Sequence, residues 1–75
     1  MNYREKISSD HRIMLGKPVI TGTRITVELV LRKMSEGATT KDLLLAYSFL
    51  TEDDILAVLM YASDVVAKEE ILEIA

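Results

Sequence analysis

Gly16-Lys17-Pro18-Val19-Ile20-Thr21-Gly22-Thr23-Arg24-Ile25 stands directly ahead of a helical pattern that opens at Thr26. Two glycines, a proline and threonines around a short β-branched run are the composition of two small strands joined by tight turns. Gly16 and Gly22 supply backbone angles that other residues resist, and Pro18 stiffens the entry to a strand. The stretch is therefore expected to form a β arm, a rigid extended element that carries Lys17 and Arg24 up to the start of a helix. That layout suits a grip on a polymer backbone or on a partner chain.

Working outward, three helices follow the arm. The first starts at Thr26 as N-cap, with Val27, Val30, Leu31 and Met34 at helical spacing and Gly37 as its left-handed stop. The second starts at Thr39 or Thr40, has Asp42 in its first turn, and runs through Leu43, Leu44, Leu45, Ala46 and Tyr47, a short and mostly buried element. The third starts at Thr51, which makes a capping-box pattern with Asp54, and its inner face is expected to hold Ile55, Leu56, Leu59, Met60, Ala62 and Val66. The fold class is thus mainly α, a three-helix core in the order of a helix-turn-helix, preceded by a short N-terminal β arm. One domain spans residues 1–75, with the arm over 1–25, the core over 26–67 and a helical extension over 68–75.

A chain of 75 residues builds a small core, worth only about 3–5 kcal/mol unless something reinforces it. Cysteine is absent, so no disulfide or cysteine-zinc site supplies that reinforcement, and dimerisation is expected to. Neither a membrane span nor a signal-peptide apolar stretch is evident, so a soluble, cytoplasmic protein is expected. The net charge of −3 hides a division. Residues 1–41 carry eight basic and four acidic side chains, a net +4, whereas residues 42–75 carry Lys68 against eight acidic side chains, a net −7. A basic half that meets phosphates and an acidic half repelled by them is one reading; two solvated faces are the other.

Catalysis finds little support. His11 is the one histidine, no metal-ligand spacing accompanies it, and Asp53 and Asp54 diverge on a helix. No nucleophile elbow or phosphate-binding glycine loop is present. The expectation is no enzyme, no metal and no cofactor, with His11 a surface turn residue.

The Gly16–Ile25 run, the Glu36-Gly37-Ala38-Thr39 helix stop, the Tyr47-Ser48-Phe49-Leu50-Thr51 turn and the Glu52-Asp53-Asp54-Ile55-Leu56-Ala57 helix start resemble the domain-of-unknown-function 433 family, over roughly residues 7 to 67. The resemblance implies a homeodomain-like three-helix fold behind a β arm, and an antitoxin of the VapB type paired with a nuclease toxin of PIN-like fold.

The carboxylates of Glu52, Asp53 and Asp54 lead the helix that would enter a DNA groove, and phosphates would repel them. DNA contact is therefore expected from Arg12, Lys17, Thr23 and Arg24, with Arg32 and Lys33 adding phosphate contacts. Intramolecular pairing, such as Arg24 with Glu28, is the competing reading. Val66, Ile71, Leu72 and Ile74 form an apolar stripe at the C-terminus, a candidate partner-binding element. Three functions stay open: an antitoxin that neutralises a PIN-like nuclease and binds operator DNA as a homodimer, a stand-alone DNA-binding regulator, and a protein-interaction module.

Overall fold

The computed structural model describes residues 3–69. A 3-10 turn at Tyr3–Glu5 leads into strand β1 (Ile7–Ser8), which pairs antiparallel with β2 (Val19–Ile20); Ile7 faces Ile20 and Ser8 faces Val19. Helices α1 (Val27–Ser35), α2 (Thr40–Ala46) and α3 (Glu52–Lys68) follow among the described residues. The molecule is mostly helical, a small helical core preceded by a short β element.

The glycine-rich stretch differs from its expected two strands. Its strand pairs mainly with residues 7–8, and the return leg is a single bridge between Val19 and Thr26. Between them the chain reverses at Gly22, which takes φ +83 while Thr23 donates its amide to the Ile20 carbonyl at 3.0 Å. Val19 and Ile20 are buried, so the β element is part of the core and does not project as a free arm.

Each helix starts the same way. Thr26, Thr39 and Thr51 accept the amides of Leu29, Asp42 and Asp54, and the last two complete capping boxes through the Asp42 and Asp54 carboxylates. An apolar residue precedes each cap and another lies four residues into the helix, as in a hydrophobic staple: Ile25 with Val30, Ala38 with Leu43, and Leu50 with Ile55. Val30, Leu43, Leu50 and Ile55 belong to one core cluster with Ile20, Val27 and Val58, and the half-buried Ile25 and Ala38 pack against it. Helix α1 ends in a Schellman motif. Gly37, at φ +106, donates to Met34 and Ala38 donates to Lys33, each at 3.0 Å.

Two helix faces depart from expectation. In α2 only Leu43 is buried, and Leu45 is exposed, so the helix is not mostly buried. In α3 the buried residues are Ile55, Ala57 and Val58, whereas Leu56, Leu59, Met60 and Val66 turn to solvent and Ala62 is half-buried. The helix is apolar on nearly every side, so its periodicity does not fix its phase. Contacts from the N-terminus fix it: Tyr3 stacks edge-on against Tyr61 and donates its hydroxyl to Asp64, and Lys6 reaches Asp54 at 3.4 Å.

Met14 and Leu15 are non-glycine residues at φ 50 and 58, and Leu15 is 90% exposed. A left-handed conformation costs an L-residue with a Cβ about 1–2 kcal/mol. Leu15→Gly is expected to raise stability by about 0.5–1 kcal/mol, the added chain entropy of glycine offsetting part of the relief. A urea midpoint unchanged or lowered would contradict this.

Candidate nucleic-acid and partner interface

The basic surface is built around a carboxylate. Glu28, in the first turn of α1, accepts from Lys17 Nζ at 3.0 Å and from Arg32 Nη2 at 3.3 Å. The hydrogen bond from Lys17, then that from Arg32, hold its carboxyl below the usual range. Two cations expected to meet phosphate therefore share one internal counter-charge. Arg32 lies one turn beyond Glu28, a pairing visible in the sequence; Lys17 is brought there by the β element.

Arg12 is likewise engaged. Its Nε and Nη2 donate to the two oxygens of Asp10 at 3.1 and 2.9 Å, and its backbone amide adds a third bond at 2.9 Å. These bonds hold the Asp10 carboxyl below its ordinary value. His11, beside it, is exposed in a turn. The Thr23 hydroxyl is occupied inside its own turn, donating to the Ile20 carbonyl at 2.7 Å and accepting the Ile25 amide at 2.9 Å.

Arg24 stands apart. It is exposed beside that turn and has no ion pair among the described residues; Glu28 is taken by Lys17 and Arg32, so the expected competing pair with Arg24 does not form. Lys33, half-buried on α1, also has no ion pair among them. In the first turn of α1 the Val27 amide donates to Pro18 and the Leu29 amide to Thr26. Only the Glu28 amide there lacks a protein acceptor among the described residues.

The exposed surface of α3 is acidic and apolar. Of the α3 carboxylates, Asp54 caps the helix and holds Lys6, and Asp64 accepts the Tyr3 hydroxyl, which that bond pushes above its ordinary pKa. Glu52 and Asp53 are exposed without an ion pair among the described residues. From Ser63 to Glu69 every side chain is exposed, including Val65 and Val66, so the last turns of α3 run past the core. Ile71, Leu72 and Ile74 lie outside the described residues.

The family model described as Protein of unknown function (DUF433) matches residues 7–62. The chain belongs to the DUF433 family. The match takes in β1, β2, α1, α2 and the first eleven residues of α3. Neither the comparison with curated proteins nor that with solved structures returned a match. Among the described residues of this DUF433 chain, one open surface depression runs along α1 at Val27, Glu28, Leu31, Arg32 and Ser35, and another lies between Tyr3, Ile7 and Tyr61. Among the described residues, no group of three acidic, histidine or cysteine side chains is placed to hold a metal ion, and no helix is long and apolar enough to cross a membrane.

Glu28 is the shared partner of Lys17 and Arg32. On the expectation that the basic half meets DNA, Glu28→Gln should release both cations, raise affinity for duplex DNA by about three- to tenfold at low salt, and steepen the log–log salt slope by about 1–2. Unchanged affinity and slope would remove both cations from DNA contact. Because the folded-state pKa of Glu28 is depressed, the stability its pairs contribute is complete above the ordinary carboxylate range and is lost as pH falls through the folded value. The same variant is therefore expected to flatten the acid limb of a plot of urea midpoint against pH.

Proposed function

We propose that the chain is a homodimeric, cytoplasmic antitoxin that binds a PIN-like nuclease through the end of α3 and the residues beyond it, and binds operator DNA through its basic half. The observation that carries the nuclease half is the run of α3 past the core with Val65 and Val66 exposed. A projecting apolar helix is a recognised mode of docking into a partner's groove. The DNA half is supported by the net +4 of residues 1–41 and by Arg24, exposed and without an ion pair among the described residues.

The test has two arms. Purified chain is expected to suppress RNA cleavage by the nuclease that co-purifies with it. It is also expected to bind duplex DNA from upstream of its own gene with an affinity that falls steeply with salt and weakens in Arg24→Ala. Undiminished cleavage would reject the first arm, and a flat salt dependence the second.

A protein-interaction module without DNA binding is the second reading. It is favoured by the internal pairing of Arg12 with Asp10, and of Lys17 and Arg32 with Glu28, and a flat salt dependence with intact nuclease binding would select it.

A further inference from the structure

We propose that the outward face of α3 is a self-association surface on which a second copy of the chain packs antiparallel. The face consists of Leu56, Met60, Ser63 and Ala67, spaced four, three and four residues apart, which is the repeat of a helix–helix seam. Leu56 and Met60 are 46% and 42% exposed, although both are large and apolar. The opposite side of the same helix already fills the core with Ile55 and Val58, so large apolar side chains stand on two sides of α3, one covered and one open.

Shape selects a second copy in one orientation. The large side chains, Leu56 and Met60, occupy the N-terminal half of the seam, and the small ones, Ser63 and Ala67, the C-terminal half. Parallel pairing would set large against large and leave a gap between the small residues. Antiparallel pairing sets each large residue against a small one, so the face complements itself about a two-fold axis.

Charge selects the same orientation. Glu52 and Asp53 are exposed at one end of α3, and Lys68, its single basic residue, is exposed at the other; none has an ion pair among the described residues. Antiparallel pairing brings each Lys68 to the acidic first turn of the other copy, with Glu69 beside it tempering the attraction, whereas parallel pairing stacks carboxylate on carboxylate. Asp64, at the flank, is held by Tyr3. The seam is one helix of 17 residues, about 26 Å long, so it falls short of a standard interface of about 800 Å² per partner. Association is therefore concentration-dependent.

Sedimentation equilibrium of the full chain over about a hundredfold concentration range is expected to show a monomer–dimer equilibrium. Met60→Glu and Ser63→Leu, both at exposed positions, are expected to weaken the dimer at least about tenfold with the helical circular dichroism retained. Asp53→Lys and Lys68→Glu should each weaken it, and the two together in one chain should restore it. A monomer at every concentration, a dimer indifferent to Met60→Glu, or a double reversal no better than the singles would overturn the proposal. The proposal rests on the homodimer of the proposed function; since no nuclease or DNA enters the measurement, its failure would remove the dimer from that reading and leave the nuclease and DNA arms to their own tests.

Discussion

Ile55→Ala is expected to leave most of the chain unfolded at room temperature. Ile55 is 1% exposed, and it belongs to the same buried cluster as Leu50, Val30 and Val58. Truncating such a side chain costs about 2–5 kcal/mol, the lost burial plus the cavity left behind. A core this small supplies about 3–5 kcal/mol in all, so the loss is comparable with the whole. Leu56→Ala, one residue on and facing outward, is expected to cost under about 1 kcal/mol in dilute protein. Urea titrations followed by circular dichroism check the pair, and equal losses at the two positions would contradict the observed phase of α3.

Removing residues 69–75 is expected to abolish nuclease binding while sparing the fold. No side chain from Ser63 to Glu69 is buried, so the cut removes none of the described residues of the core cluster. The unfolding free energy from urea titration should stay within about 0.5 kcal/mol of the intact chain, as for surface changes. Nuclease affinity should fall more than about tenfold, because apolar anchors at an interface centre carry most of its energy. Val66→Asp, in the intact chain, should reproduce part of the loss. Full neutralisation by the truncated chain would place the nuclease contact elsewhere.

The helix starts were legible because threonine caps act locally. Thr26, Thr51 and one of Thr39 and Thr40 could be read from the sequence, as could Gly37, since each works through neighbours within a few residues. The pairing of Ile7 and Ser8 with Ile20 and Val19 was not, because two-residue strands carry no periodicity. The phase of α3 was misassigned for a related reason. Leu56, Leu59, Met60 and Val66 look as suited to a core as Ile55 and Val58 do, and the deciding contacts, Tyr3 with Tyr61 and Lys6 with Asp54, join residues far apart in the chain. On the basic surface, composition located the cations but not their partners. That Lys17 pairs with Glu28 on the surface while Arg24 does not is set by how the β element and the reversal at Gly22 place the two residues.

Affinity purification of the tagged, full-length chain from the cells that produce it, with mass spectrometry of what accompanies it, tests the antitoxin account most directly. The account predicts a small nuclease of PIN-like fold at near-stoichiometric yield, released when residues 69–75 are removed. Recovery of the chain with no protein but itself would contradict it.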